Sequence, residues 1–473
     1  MNRTKKALRG KANVRFETAD TDLQRLYDAA EEKCRLNEKD FAGYHVLIEG
    51  GGYEKVWIET QPMGGAMYGK RNPEVALDNQ RIFMDHQRED GRLPGSVELR
   101  DGKLIPQFDK FQGFCFPAPA LDVYYMLGKD PAYLEQLYEV LRKYDEYLWR
   151  VRDSDKDGCL ESWCRYDTGE DNAARYGDAP NAWEAEEPPE GCNVVPMASM
   201  DFMSYSYSAR ETMAQIEEIR GHREKAEKHR KDAEDLKKRI RDYLWEEERG
   251  AFFDRDKNHR ILPTLTHNNL RMMYWNSMSK QDAERFVHEH LLNEKEFWTR
   301  MPLPSVALND PLFRNDSVNN WSGQPQALTY QRAIRAMENY GVYCLLPVLG
   351  RKLFRAIGPE CIFVQQYDPV TMKPSLKGEQ GDQDGYGPAM LSVLEYISRM
   401  YGVHMDRDKL VWSSVKGEDG LYTQEWMGHT YSLRSEGDRA IGCIDGKEIF
   451  NENRGIRLET DPEGKQIYGR WKL

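Results

Sequence analysis

The 473-residue sequence has no long hydrophobic run and no excess of basic residues. Without an apolar run, we expect neither a membrane-spanning helix nor a signal peptide. The 67 Lys and Arg residues are outnumbered by 79 Asp and Glu residues, which gives a formal net charge of -12. Because nucleic-acid-binding proteins need a basic surface, this balance argues against a nucleic-acid partner.

Cysteine is also scarce, with eight residues in the whole sequence and no Cys-x-x-Cys pair. Such spacings are not those of a disulfide framework or a zinc site. We therefore interpret the cysteines as free thiols in a reducing compartment and expect a cytoplasmic protein.

Several catalytic signatures are missing as well. The sequence has no Gly-x-Ser-x-Gly nucleophile elbow and no Gly-x-Gly-x-x-Gly dinucleotide motif. The three glycines at 50–52 are not followed by the Lys-Ser/Thr of a phosphate-binding loop. These absences argue against a serine hydrolase and a nucleotide-binding enzyme.

What the sequence does contain is a series of helix-length segments with apolar residues at helical spacing. Long polar loops, rich in Trp, Gln, Asn and acidic residues, separate them. This pattern is typical of a mainly α protein built as an (α/α)6 toroid, in which loops at one end form the active site. The predicted helical segments include 131–151, 201–219, 222–245, 265–292, 324–357 and about 386–402.

The sequence changes character near its end. From about residue 409, alternating apolar and polar residues and Asp-Gly turn signals replace the helical stripes. The pattern predicts a toroid over residues 1–408 and a small antiparallel β module over 409–473.

One polar stretch, residues 165–176, concentrates carboxylates, two arginines and two tyrosines around a glycine. Aromatic rings can stack on a sugar face, and a carboxyl group in an apolar pocket can keep a proton for a leaving group. A charged surface loop is the alternative interpretation of this composition alone.

Within that stretch, residues 169–176 read Gly-Glu-Asp-Asn-Ala-Ala-Arg-Tyr. They resemble the Gly-x-Asp-Asn/Phe-Ser-x-Arg-Trp signature of trehalases and of the bacterial processing α-glucosidases and mannosylglycerate hydrolases. The aspartate of that signature is the general acid in these families, and it corresponds to Asp171. The resemblance implies substrate contacts for Asn172 and Arg175, although pairing of Arg175 with Glu170 is the alternative.

Two further motifs follow the same family order. Residues 57–60, Trp-Ile-Glu-Thr, are similar to the family's Trp-Asp-Thr/Ser loop, and residues 320–325 resemble its Trp-x-Gly loop. The resemblance covers about residues 20–405 and leaves the β tail outside. It implies sugar contacts for Trp57, Glu59 and Trp321, and core packing is the alternative for the two tryptophans. Gln324 lies in a loop beside Pro325, where it is poorly placed for a core, and its amide suits sugar hydroxyl groups.

The sequence departs from the family at the general base. The family places this base in a Glu-x-Tyr motif, but here Gln365 precedes Tyr367 by two residues, and both become candidate substrate-binding residues instead. A glutamine cannot accept a proton from water. A glycine-rich loop further along resembles a trehalase segment and offers Glu379 as the predicted base, with Asp382 and Glu59 as alternatives. A solvated acidic loop remains the other interpretation.

These residues lead us to predict an inverting glycoside hydrolase that uses Asp171 as acid and Glu379 as base. Its expected substrate is a short oligosaccharide or glycoside, of α-glucoside or α-mannoside type, and it would need no cofactor or metal. Two alternatives stay open. One is a carbohydrate-binding protein without activity, and the other is a different toroid enzyme, either an unsaturated-glycoside hydrolase or a sugar epimerase that uses His267. The sequence leaves the oligomeric state open.

A separate acidic turn, residues 153–158, begins like a calcium-binding EF-hand loop. The twelfth position is Cys164, where such a loop needs a bidentate glutamate. A plain Asp-Gly turn is therefore the favoured interpretation, and calcium binding by Asp153, Asp155 and Asp157 is the alternative.

Overall fold

Helices are the main regular elements of the chain before residue 402, and strands form most of it afterwards. The computed structural model describes residues 11–375, 377–378, 381–382 and 384–472. None of the helices in this part of the chain has the length and apolar character that crossing a membrane requires. Twelve α-helices lie in the described residues: α1 Thr21–Leu36, α2 Gln61–Tyr68, α3 Pro73–Met84, α4 Pro117–Met126, α5 Pro131–Val151, α6 Met200–Ile219, α7 Arg223–Leu244, α8 Asn268–Trp275, α9 Lys280–Phe286, α10 Ala327–Asn339, α11 Leu345–Ile357 and α12 Gly387–Tyr401.

Local sequence accounts for where these helices begin. In α5 the Asp130 side chain accepts a hydrogen bond from the Ala132 amide at 3.0 Å, and Pro131 occupies the first turn. The helix then buries an apolar stripe that includes Leu137, Leu141 and Leu148. The predicted helix over 131–151 is thus confirmed, and those predicted near α6, α7 and α12 are confirmed to within two residues.

Six helices pack around a closed cycle. Helix α2 packs against α4, α4 against α6, α6 against α8, α8 against α10, and α10 against α12, which packs back against α2. Other helices cover this cycle: α1 and α11 pack on α12, α3 on α2, α5 on α4 and α6, and α7 on α6. The long polar loops lead into the even-numbered helices, so the cycle determines which loops meet.

The strands are mostly short in the helical region and longer in the tail. They are β1 Ala12–Thr18, β2 Glu38–Phe41, β3 Tyr44–Leu47, β4 Val56–Trp57, β5 Ser96–Arg100, β6 Lys103–Gln107, β7 Glu161–Ser162, β8 Met197–Ala198, β9 Trp245–Glu246, β10 Ala251–Phe252, β11 Lys377–Gly378, β12 Gly381–Asp382, β13 Val403–Asp406, β14 Lys409–Ser414, β15 Gly420–Trp426, β16 His429–Glu436, β17 Arg439–Ile444, β18 Lys447–Asn453, β19 Ile456–Thr460 and β20 Gln466–Lys472.

The tail forms two antiparallel sheets, in the strand orders β1-β15-β16-β17-β18 and β13-β14-β19-β20. The N-terminal strand β1 was not predicted. It pairs with β15, so that Ala12 lies opposite Trp426 and Thr18 lies opposite Gly420. Its Val14 and Phe16 are buried. Strand β13 also begins before residue 409, so residues on both sides of the predicted boundary contribute to these sheets, and the division at 408 stays a prediction.

Two predicted Asp-Gly hairpins are confirmed. Asp101 and Gly102 join β5 to β6 with φ angles of 50° and 72°, and Asp445 and Gly446 join β17 to β18 with 50° and 78°. Positive φ at both central positions is the geometry that Asp-Gly tolerates and that matches strand twist.

The carboxylates of the acidic turn at 153–158 accept hydrogen bonds from nearby backbone amides. Asp153 Oδ1 accepts from the Gly158 amide at 3.2 Å, and Asp157 Oδ1 accepts from the Cys159 amide at 2.7 Å. Such side-chain to backbone hydrogen bonds are typical of the Asp-Gly turn that the sequence favours.

Candidate active site

The site is a cavity of about 460 Å³ at the meeting point of the loops that lead into α2, α4, α6, α10 and α12. Five predicted residues line it: Trp57, Glu59, Asp171, Trp321 and Gln365. Lining residues that were not predicted include Glu49, Tyr53, Asn319 and Tyr386. The fold therefore brings together four sequence segments that lie up to about 300 residues apart.

Asp171 lies in an irregular segment after a 3-10 turn, Arg165–Thr168, and a left-handed Gly169 with a φ of 71°. Its backbone carbonyl accepts from the Trp321 amide at 3.1 Å. Its Oδ2 accepts from the Asn319 side-chain amide at 3.0 Å. Backbone and side chain together hold Asp171 against the loop before α10.

A buried ion pair supports the segment that contains Asp171. Arg152 lies 2.7 Å from the Asp167 carboxylate, and both side chains are almost fully buried. Asp167 also accepts from the Trp163 amide at 2.8 Å and the Phe111 amide at 3.3 Å. Because a buried carboxylate needs such partners, Asp167 fixes the path of the chain and does not line the cavity.

Arg175 is the clearest correction to the predicted site. It does not line the cavity but forms buried ion pairs with Glu170 and Asp254. Burial opposes ionisation of Glu170, but the guanidinium groups of Arg175 and Arg271 hold the pKa of that carboxyl well below its usual range. The alternative interpretation, a structural pairing of Arg175 with Glu170, is the arrangement found.

His267 also belongs to this buried network. Its Nε2 lies 2.9 Å from Glu170 Oε1, its Nδ1 lies 3.1 Å from Thr329 Oγ1, and its ring packs on Trp321 at 5.5 Å. Burial lowers the pKa of His267 to about 4. Both ring nitrogens are engaged within the protein, so the geometry does not favour the epimerase alternative.

Glu59 lines the cavity through a heavily bonded carboxylate. Arg332 donates to its Oε2 at 3.1 Å, and Gln112 donates to its Oε1 at 3.2 Å. Burial raises the pKa of Glu59 to about 7, Arg332 opposes this rise and Asp171 adds to it. The carboxylate lies against Gly169, where a Cβ atom would stand 2.1 Å from its Oε2.

Gln365, at the position of the family's base, belongs to a hydrogen-bonded chain. Its Oε1 accepts from the Tyr53 hydroxyl at 2.8 Å, and its Nε2 donates to Asn319 Oδ1 at 3.0 Å. Asn319 in turn donates to Asp171. This series of hydrogen bonds therefore connects Asp171, the predicted acid, to Gln365, which stands where the family has its base.

Three other predicted binding residues lie away from the cavity lining. Asn172 donates to the Asn319 carbonyl at 2.9 Å and joins two loops. Gln324 is buried and accepts from Gln366 Nε2 at 2.9 Å and Ser375 Oγ at 2.6 Å. Tyr367 is fully buried. Their polar groups complete the loop packing, because buried amides and hydroxyls must be hydrogen-bonded.

The predicted base, Glu379, lies outside the described residues, as does the side chain of Asp382. Sequence reasoning also missed Glu49, which is buried in the cavity wall next to three glycines. All three glycines have positive φ, at 74°, 60° and 91°. An acidic residue immediately before a run of glycines is the sequence signal that could have identified Glu49, since such glycines allow the backbone to approach a ligand closely.

The comparisons with known proteins agree with this geometry. Residues 63–379 match the family of the mannosylglycerate hydrolase MGH1-like glycoside hydrolase domain. Because this match covers more than half of the chain, the protein belongs to that family and is a glycosidase. A search of curated protein sequences finds no match.

Solved structures show the same fold. A GH63 mannosylglycerate hydrolase from Thermus thermophilus is 17% identical with a TM-score of 0.59, covering 78% of this chain and 100% of its own. The neutral trehalase from Saccharomyces cerevisiae is 14% identical with a TM-score of 0.55, covering 75% of this chain and 74% of its own. An α-L-rhamnosidase from Dictyoglumus thermophilum is 12% identical with a TM-score of 0.56, covering 92% of this chain and 44% of its own. The predicted resemblance to six-hairpin glycosidases is confirmed.

Proposed function

We propose that the protein is an inverting glycoside hydrolase with Asp171 as its general acid. The observation that carries this proposal is the position of Asp171: its side chain is half-buried in the cavity wall and held by Asn319, between the loops of Trp57 and Trp321. The closed helix cycle supports the predicted (α/α)6 toroid as the scaffold.

In this mechanism Asp171 gives its proton to the glycosidic oxygen as the bond to the anomeric carbon breaks. A second carboxylate takes a proton from water, whose oxygen attacks the anomeric carbon from the opposite face. The two carboxyl groups of an inverting enzyme stand ~6.5–9.5 Å apart to admit this water. The product anomer is therefore opposite to that of the substrate.

The cavity suits a small carbohydrate. Its volume of about 460 Å³ lies within the usual range for small-molecule sites. Trp57 and Trp321 supply aromatic faces for a sugar ring, and Glu59 and Gln365 supply acceptors and donors for hydroxyl groups. We propose a short oligosaccharide or glycoside of α-glucoside or α-mannoside type as substrate.

The test is turnover on a panel of α-linked disaccharides, glycosyl fluorides and aryl glycosides. We expect hydrolysis with inversion, read as the anomer first formed in the proton NMR spectrum. Asp171→Asn should reduce kcat by about 10²–10⁴-fold on substrates with poor leaving groups, because proton donation acts in the transition state.

Asp178→Asn, an exposed change further along the same loop, is the matched control and should keep the rate. A product of retained configuration would contradict the inverting mechanism. An unchanged rate in Asp171→Asn would remove the acid assignment. Sugar binding without turnover would favour the carbohydrate-binding alternative, which Gln365 at the base position suggests.

A further inference from the structure

Besides Asp171 and Glu59, a further buried carboxyl group, that of Glu49, lies in the cavity wall. The residue is 5% exposed and lines the cavity together with Asp171 and Glu59. The Tyr386 hydroxyl donates to Glu49 Oε1 at 2.9 Å. A buried carboxyl group costs free energy to desolvate, so its presence at a cavity of this kind points to a functional role.

A series of side-chain contacts connects Glu49 with Gln365, and both residues line the cavity. The ring of its partner Tyr386 packs edge-on against Tyr53, with 6.2 Å between centroids. The Tyr53 hydroxyl donates to Gln365 Oε1 at 2.8 Å. Two touching tyrosines thus join the carboxyl of Glu49 to the amide that stands where the family has its base.

The backbone fixes Glu49 from two directions. Its carbonyl accepts from the Gly387 amide at 2.6 Å, at the start of α12. On the other side, Gly50 and Tyr53 exchange backbone hydrogen bonds of 3.0 and 3.1 Å. A Cβ at Gly50 would stand 2.4 Å from the Gly385 carbonyl, so the turn after Glu49 requires glycine.

Glu59, another buried carboxyl group in the wall, is less suited to accept a proton. Arg332 and Gln112 each donate to one of its two oxygens, and Gly169 packs against the carboxylate. Glu49 has no such pair of donors at its two oxygens among the hydrogen bonds of the described residues; its Oε1 accepts from Tyr386.

We propose that Glu49 is the base that activates water, in place of the glutamate that Gln365 replaces. This inference rests on the proposed function. The carboxylate of Glu49 takes one proton from water while the water oxygen forms a bond to the anomeric carbon. The electron pair of the breaking glycosidic bond goes to the leaving oxygen, which receives the proton of Asp171. Solvent then exchanges the two protons, and the starting forms return.

The charges around Glu49 give the reaction a characteristic pH dependence. Burial, followed by the negative charges of Glu59 and Asp171, raises the pKa of Glu49 well above its usual range, whereas the Tyr386 hydrogen bond and Arg332 oppose this rise. A base must be ionised, so we expect the acidic limb of kcat/KM to lie at higher pH than for an ordinary glutamate.

The experiment compares the wild type with four glutamate variants on a glycosyl fluoride, which needs a base but little help from an acid. Glu49→Gln should lose at least about 10²-fold in kcat. Glu49→Ala with azide should recover turnover and yield the glycosyl azide of inverted configuration. Glu379→Gln should stay active, and the exposed Glu32→Gln is the control for the chemical change.

A fifth variant, Tyr386→Phe, distinguishes the proposed role of Glu49 from a purely structural effect. Losing the hydroxyl that donates to the Glu49 carboxylate should shift the acidic limb of kcat/KM to higher pH. A structural defect would lower the rate at every pH. Circular dichroism and Tm would confirm that each variant is folded.

The outcomes separate the two proposals. Wild-type turnover together with an active Glu49→Gln and an inactive Glu379→Gln overturns the assignment of Glu49 and keeps the glycosidase mechanism. Absence of azide rescue and an unshifted limb in Tyr386→Phe also overturn it. A wild type that turns over none of the panel overturns the proposed function and, with it, this inference.

Discussion

The side-chain amide of Asn319 lies 3.0 Å from the carboxylate of Asp171 and donates a hydrogen bond to it. The carbonyl oxygen of the same amide accepts from Gln365 Nε2 at 3.0 Å. One asparagine therefore fixes both the proposed acid and the amide at the base position. It is a positioning residue, since it acts through Asp171.

The first prediction follows from this contact. Asn319→Ala should free the Asp171 carboxyl to rotate and should lower kcat by about 10- to 100-fold, because small misplacements of a reacting group are costly. KM should change little. Steady-state kinetics on an aryl glycoside measure both constants. Asn193→Ala, an exposed change in the loop before α6, is the control. An equal loss in both variants would contradict the positioning role.

The second prediction concerns Gly169→Ala. Its φ of 71° disfavours alanine, and the new methyl group would stand 2.1 Å from Glu59 Oε2. We expect a loss of about 2–4 kcal/mol in the free energy of unfolding, together with lower kcat/KM, because overpacking displaces the Glu59 carboxylate. Urea denaturation and kinetics provide the two measurements.

Gly191→Ala separates the two causes of that loss. Gly191 has a similar φ of 78°, but nothing lies within 4 Å of its Cβ position. It should lose only about 1–2 kcal/mol and keep its activity. Equal losses in the two variants would show that backbone strain alone, without contact at Glu59, explains the effect.

The third prediction is a pH-dependent stability. Burial raises the pKa of Glu59 to about 7 in the folded protein, whereas an unfolded glutamate titrates near 4.3. Between these values the unfolded state loses its proton first, so the free energy of unfolding falls as pH rises, by up to about 1.4 kcal/mol per pH unit.

Glu59→Gln removes this contribution because an amide does not ionise. The difference in unfolding free energy, wild type minus variant, should therefore fall between about pH 4.5 and pH 7 and stay level outside that window. Denaturant titrations at several pH values measure it. A difference that is constant with pH would show that Glu59 titrates alike in both states.

The fourth prediction concerns the aromatic face of Trp57. Lys55 and Lys110 lie 5.5 and 5.8 Å from its ring centroid, and the ring lines the cavity. Trp57→Ala should lower kcat/KM by about tenfold, mainly through KM, since stacking contributes to binding in the ground state. Trp298→Ala is the control, because Lys352 lies 5.8 Å from that ring in a similar contact away from the cavity. A normal KM in Trp57→Ala would exclude a sugar platform.

Much of the fold was predictable because its signals are local. The cap at Asp130 and the apolar stripe of α5 lie in one continuous segment, and the Asp-Gly hairpins depend on two adjacent residues. Strand β1 was missed because seven residues of alternation near a basic N-terminus carry little signal on their own. Its partner, Gly420–Trp426, lies some 400 residues further along.

The sequence by itself determined most of the helices, the family resemblance and the choice of Asp171, Trp57 and Trp321 as candidate residues of one site. Each of these rests on a short motif or on local periodicity. Only the tertiary structure decided that Arg175 forms buried ion pairs and that Glu49 lines the cavity. It also decided that Gln365 accepts a hydrogen bond from Tyr53. The hydrogen bond from Tyr386 to Glu49 spans 337 residues. Whether a charged side chain is a buried support or a reactive group depends on which partners the fold places beside it, because desolvation and neighbouring charges act through space and not along the chain.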